Sequence, residues 1–199
     1  MSEHIVDTGR RKMLTVSASV VGAVGAAVAV VPFLSTMSPS AKALASGAPV
    51  EVDVSKLEPG QKIQVEWRRK PVWIVRRSDE MVSNLSKTED RVRDPNSNEP
   101  GQQPEFAQNQ TRSLRPDVLV LVGICTHLGC SPTFRPELAP EDLGPDWVGG
   151  FYCPCHGSFF DLAGRVYKNV PANKNLEVPP YKYISDNLIL VGELDEGAA

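Results

Sequence analysis

At 199 residues, 41% of them hydrophobic and with three Trp and six Phe, the chain can bury one sizeable core but not two. A formal net charge of -3 leaves no basic stripe to displace phosphate counterions. This argues against nucleic acid and for protein or small-molecule partners.

Residues 1–12 are polar and end in Arg10-Arg11-Lys12, after which 13–34 run without a charge. At ~1.5 Å per residue such a stretch spans the ~30 Å hydrocarbon core, so one N-terminal transmembrane helix is expected. Gly22 and Gly25 are places where a neighbouring helix can approach closely. The basic residues before the apolar run, against only Lys42 soon after it, place the N-terminus in the cytoplasm and the bulk of the chain outside. Arg10-Arg11-Lys12-Met13-Leu14 also has the form of a twin-arginine export signal, and Ala43-Leu44-Ala45 fits a small-x-small cleavage pattern. From these residues a retained anchor and a cleaved leader are both open. Residues 35–49 are small, polar or turn-forming and read as a linker.

Val50-Glu51-Val52-Asp53-Val54 and Lys62-Ile63-Gln64-Val65-Glu66-Trp67 alternate with period two, like half-buried strands, around a Pro59-Gly60 turn. Pro71-Val72-Trp73-Ile74-Val75-Arg76 predicts a third strand, reached through the charged connection Arg68-Arg69-Lys70. Ser78 is placed to cap a short helix running to Ser86, with Asp79 and Glu80 suited to its first turn. Between 87 and 116 the chain is polar, rich in Asn, Gln, Pro and Gly, and without periodicity. It reads as a long irregular excursion over the surface.

Val118-Leu119-Val120-Leu121-Val122 predicts a buried strand leading into Cys125-Thr126-His127-Leu128-Gly129-Cys130, and 147–152 lead into Cys153-Pro154-Cys155-His156-Gly157-Ser158. These two loops hold all four cysteines and two of the three histidines. Soft thiolate and imidazole ligands gathered so tightly, with Gly and Pro bending the backbone, suit a transition metal. Six candidate ligands are too many for one tetrahedral zinc, which would leave two groups unused. Beyond the loops, Ser158-Phe159-Phe160-Asp161 and Gly164-Arg165-Val166 predict strands around a turn. Further short strands are expected at 176–178, 181–185 and 188–191, the last two joined at Asp186-Asn187. An acidic tail, 192–199, is expected to fray.

Two thiolates on one iron and two imidazoles on the other form the ligand set of a Rieske [2Fe-2S] centre. The two loops resemble the Rieske iron-sulfur protein signature without a mismatch, and the likeness extends to the anchor, the linker, Val65-Glu66-Trp67-Arg68 and Leu176-Glu177-Val178-Pro179. The resemblance is to the subfamily in quinol:cytochrome c reductase, the cytochrome bc1 complex. It implies that Cys125 and Cys153 hold the inner iron of a single [2Fe-2S] cluster, that His127 and His156 hold the outer iron, and that Cys130 and Cys155 form a disulfide. A disulfide persists only in an oxidising compartment, in agreement with export.

The same resemblance implies a mainly β, antiparallel fold: a Rieske domain over 50–199 with an inserted cluster-binding subdomain at about 120–173. It would be carried on a retained anchor, 13–34, through a hinge, 35–49, with 1–12 in the cytoplasm. His156 and His127 would take the proton of quinol, expected to be ubiquinol, with cytochrome b and cytochrome c1 as partners, at the periplasmic face of a bacterial inner membrane. Ser158 would donate a hydrogen bond to a bridging sulfide, and Leu128 and Pro171 would cover the cluster. Two departures stand out: Phe160 replaces a tyrosine that in many members donates to a ligand sulfur, and Asn173 and Lys174 stand where a second proline is usual. The small Rieske subunit of an arsenite oxidase is the alternative, since it can share the export signal and the loops.

Overall fold

A computed structural model describes residues 7–41 and 47–194, which fall into two compact units, Met1–Ala45 and Ser46–Ala199. In the first unit α1 spans Thr8–Ser35. It starts five residues before the uncharged stretch because the Asp7 carboxylate caps it, accepting from the Gly9 and Arg10 N–H groups, so that Arg10, Arg11 and Lys12 are helical. Mean hydropathy reaches 2.2 over 18 residues of α1, and none of its residues is buried within the protein. The apolar side chains therefore face outward all round, as in a helix whose solvent is lipid. Residues 42–46, which include a third of the expected linker and the whole cleavage pattern, lie outside the described residues, as do 1–6 and 195–199.

Among its described residues the second unit has three antiparallel three-stranded sheets. β2 (Lys62–Trp67), β3 (Lys70–Arg76) and β4 (Val118–Val122) form one, in that order. Trp67 pairs with Lys70, so only Arg68 and Arg69 make the turn, both at positive φ (50° and 60°). This is the conformation that matches the twist of the flanking strands. A second sheet joins β1 (Val50–Asp53) to the hairpin of β8 (Tyr181–Ser185) and β9 (Leu188–Val191), in the order β1-β9-β8. The third, β5 (Thr133–Arg135), β6 (Gly150–Cys153) and β7 (Ser158–Asp161), carries the second cysteine loop at the turn between β6 and β7. β4 is buried along its whole length, as its unbroken apolar run requires.

Several elements differ from expectation. Ser78 caps α2 (Asp79–Ser83) by accepting the Met81 N–H, but the helix then tightens into a 3-10 segment, Asn84–Arg91. β5 had no sequence signal. Residues 176–178 alternate in burial as a strand does, yet form none, because their backbone groups bond three separate segments: Leu176 to Gly164, Glu177 to Val122 and Val178 to Gln102. Val166 makes only an isolated bridge to Phe160.

The largest correction concerns 87–116. This segment is packed into the domain, with Val92, Ser97, Ala107, Arg112 and Ser113 buried. Its polar side chains satisfy buried backbone, as where Arg112 donates to the Ala163 and Gly164 carbonyls and to the Gln103 side chain.

Candidate metal centre

The two cysteine loops share one backbone plan. In the first, the Gly129 N–H closes onto the Cys125 carbonyl at 3.0 Å, and in the second the Gly157 N–H closes onto the Cys153 carbonyl at 3.0 Å. Both glycines have φ in the left-handed region, 85° and 73°, which a Cβ would disfavour. Each loop thus begins with a cysteine, places a histidine two or three residues later and turns back at a glycine.

The turns point corresponding groups the same way. Cys125 and Cys153 are both free and buried, with 3% and 2% of their surface exposed, whereas His127 is half-buried and His156 exposed. The two imidazoles lie 4.8 Å apart, centroid to centroid, at 89° to one another. Cys130 and Cys155 are joined in a disulfide, which fastens one loop to the other. The sulfurs of Cys130, Cys153 and Cys155 lie within 4.8 Å of one another, but the disulfide leaves only Cys153 among them able to act as a thiolate.

Burial pushes the Cys125 thiol above its ordinary pKa; the His127 backbone N–H opposes this, the adjacent Cys153 thiol adds to it, and the Ser158 hydroxyl opposes it. The surroundings of the Cys125 sulfur thus supply what a thiolate needs: a second thiol to share a metal with, and an N–H and a hydroxyl that favour its charged form. Ser158 is itself buried, and its oxygen accepts the Ala172 N–H at 3.0 Å, which leaves its own proton for the sulfur. The Thr126 hydroxyl donates to the Lys174 carbonyl at 2.6 Å. Segment 170–174 is consequently tied to both loops, although Asn173 and Lys174 replace the usual second proline. Pro171 is exposed within it. Leu128 is 72% exposed beside the histidines, and Phe160 is fully buried in β7 opposite Phe151.

One contributor had no sequence signal beyond a glycine after an apolar run. Gly123, two residues before Cys125, lies against the Trp73 indole, which stacks on Phe151 at 5.4 Å and donates to the Gln64 side chain. A Cβ at Gly123 would lie 2.2 Å from the indole.

Two buried soft sulfur donors beneath two imidazole donors at the surface fit an iron-sulfur centre with mixed ligation and would serve a single zinc poorly. On an antiparallel β scaffold they define a Rieske-type protein. The family described as Rieske [2Fe-2S] domain matches residues 48–182, and one described as Ubiquitinol-cytochrome C reductase Fe-S subunit TAT signal matches 1–40, which include the paired arginines. The chain is 58% identical over 199 residues to the ubiquinol-cytochrome c reductase iron-sulfur subunit of Allochromatium vinosum, covering 100% of this chain and 95% of that one. To the subunit of the same name from Rhodospirillum rubrum it is 41% identical over 197 residues, covering 96% and 98%. Among solved structures it aligns with a chain titled Hyperthermophilic respiratory Complex III, at 29% identity and a TM-score of 0.47, over 88% of this chain and 98% of that one. The chain belongs to the Rieske family of ubiquinol-cytochrome c reductase iron-sulfur subunits, which carry one Rieske-type [2Fe-2S] cluster.

Proposed function

We propose that this chain is the iron-sulfur subunit of a quinol:cytochrome c reductase, with Cys125 and Cys153 holding one iron of the cluster and His127 and His156 the other. The observation that carries this reading is the pair of imidazoles, 4.8 Å apart on the outer side of two buried free thiols. Bound there, the cluster supplies a one-electron acceptor, and imidazoles in place of two thiolates raise its potential towards the range of a quinol.

The residues supply the proton chemistry and the seal. His156, exposed at the tip, presents a ring nitrogen to accept the quinol hydroxyl's hydrogen bond and then its proton, with His127 as the second such group. Leu128 puts an apolar side chain beside them, against the surface that receives the histidines, and keeps water from the proton transfer. The disulfide keeps the two histidine-bearing loops in one arrangement.

The partners on this reading are cytochrome b, cytochrome c1 and ubiquinol. α1 would anchor the chain in the bacterial inner membrane, and a hinge at 35–49 would let the head on the periplasmic side move between quinol and haem. The relatives' names favour this over the small subunit of an arsenite oxidase. EPR of the reduced protein in isolated membranes, with and without a quinol-site inhibitor, is the test. A Rieske-type signal that shifts with the inhibitor is expected. Absence of the signal, or copurification with a molybdenum subunit in place of cytochrome c1, would refute the reading.

A further inference from the structure

Among the described residues, four charged side chains are shut inside the domain: Arg77, Arg112, Arg165 and Asp161 have 2%, 0%, 0% and 0% of their surface exposed. Only two of them form a pair. The Asp161 carboxylate accepts Arg165 Nε at 2.7 Å and the Thr88 hydroxyl at 3.0 Å on one oxygen, and the Ala163 and Arg165 N–H groups on the other. Its lone pairs are filled. Arg77 and Arg112 have no carboxylate within 4.0 Å among the described residues. They are held by neutral oxygens, Arg77 by Thr111, Leu162 and Ser113, and Arg112 by Ala163, Gly164 and Gln103.

Two buried cations without counter-ions are expensive, since each loses its hydration and recovers only dipoles. Burial lowers both guanidinium pKa values to about 10, still well above neutral, so both charges persist at pH 7. The buried set therefore carries three positive charges and one negative, a surplus of two. Hydrogen bonding alone does not require this, because a neutral amide can also donate to carbonyls.

The position of the surplus is informative. Apart from that of Thr111, the carbonyls that receive these guanidiniums belong to residues 162–164, the turn directly after β7, and β7 begins at Ser158 opposite Cys153. At ~3.3 Å per strand residue, the four to six steps from Ser158 put that turn roughly 13–20 Å along the chain from the second loop. A Cβ at Gly164 would lie 2.9 Å from Leu121 and 3.3 Å from Arg112 Nη1, and Leu121 is in β4, which leads into Cys125. The intervening side chains, among them Leu121, Phe160 and Val166, are fully buried. Charge acts over such a distance with little screening from salt.

We infer that Arg77 and Arg112 are electrostatic tuning residues that raise the reduction potential of the centre by stabilising the extra negative charge it gains on reduction. The inference rests on the ligand assignment proposed above. It assigns the buried arginines a role at a distance, with no contact to substrate or metal.

The test is redox titration of the full-length protein in membranes, read by EPR. In Arg77→Met and Arg112→Met an apolar chain takes the space of the buried cation, at a cost in stability for the carbonyls left unpaired. Each is expected to lower the midpoint, the double variant to lower it further, and the shift to stay the same between low and high salt. Asp161→Asn removes the one buried negative charge and is expected to move the midpoint upward. Opposite signs are the mark of charge, because loosened packing has no reason to distinguish Arg→Met from Asp→Asn. Loaded variants with the wild-type midpoint, or all three single variants shifting in one direction, would overturn the inference. Where Asp161→Asn does not accumulate, the double Met variant decides, and an unshifted midpoint there is sufficient to reject it. A wild-type protein with no titratable signal would instead refute the ligand assignment.

Discussion

The Ser158 hydroxyl oxygen accepts the Ala172 N–H at 3.0 Å, which leaves its own proton free to donate to the Cys125 sulfur, whose pKa the hydroxyl lowers, so one buried side chain links β7, the 170–174 segment and the first cysteine loop. Removing it has two separable effects. Ser158→Ala leaves a buried N–H unpaired, which costs roughly 1–3 kcal/mol, and takes away a donor that favours a negatively charged sulfur. Thermal unfolding should show the first effect, and redox titration a lowered midpoint. A variant as stable as wild type with an unchanged midpoint would show that the hydroxyl serves neither neighbour.

The approach of Gly123 to Trp73 makes a sharper steric prediction. Gly123→Ala forces its methyl towards an indole that is stacked, hydrogen-bonded and 1% exposed, so the strain cannot be relieved by a simple side-chain rotation. Overpacking of this kind costs about 1–3 kcal/mol, and here it should also reduce cluster content, since Cys125 is two residues away. Adding Trp73→Phe removes the colliding ring atoms and should restore part of the cluster content. The proposed contact fails if Gly123→Ala alone has the melting temperature and cluster content of wild type.

The loops were legible in the sequence because Cys and His are scarce and gathering them in two short segments has few explanations. β4 was legible for a similar reason: an unbroken Val and Leu run can only be buried. The polar interior was hidden. Arg112 sits in a stretch rich in Asn, Gln and Pro, where an arginine ordinarily faces water, and only the folded chain shows the Ala163 and Gly164 carbonyls waiting for it. Leu176 and Val178 misled in the opposite way. Alternation reports which side chains are buried, and both are, but not whether one neighbouring strand receives the backbone bonds.

The Cys130–Cys155 disulfide closes a loop with a sequence separation of 25, which in the chain-entropy account stabilises on the order of 3 kcal/mol. The cluster would cross-link the same two loops through Cys125, His127, Cys153 and His156, so the two constraints overlap. The double variant Cys130→Ser with Cys155→Ser should therefore destabilise the apo protein more than the loaded one, while retaining some cluster. Chemical denaturation of both forms reads the difference. Equal losses in the two forms would mean that the loops are not bridged by a common centre, and no loss in either would mean that the disulfide is not a clamp.

The buried Cys125 thiol makes the stability of the apo protein depend on pH. Burial raises the Cys125 thiol above its ordinary value of 9.0, so the folded state holds this proton more tightly than the unfolded chain. Below pH 9 both states carry the proton and the stability is fully present. As pH rises beyond 9 the unfolded chain releases it first, and stability is lost progressively up to the folded value. Tyr183, which burial pushes up to about 12, and the likewise raised Tyr167 and Tyr181 act with the same sign, but only from their ordinary 10.0 upward. Lys62, Arg77 and Arg112, whose values burial lowers, act with the opposite sign, so the thiol is read by difference: between pH 9 and 10 the denaturation midpoint of the apo protein should fall relative to that of Cys125→Ser. The loaded protein should lack this fall as well, because a metal-bound sulfur has already given up its proton. A Cys125→Ser protein whose stability falls as steeply as that of the unmutated apo protein between pH 9 and 10 would rule out the buried thiol as the cause.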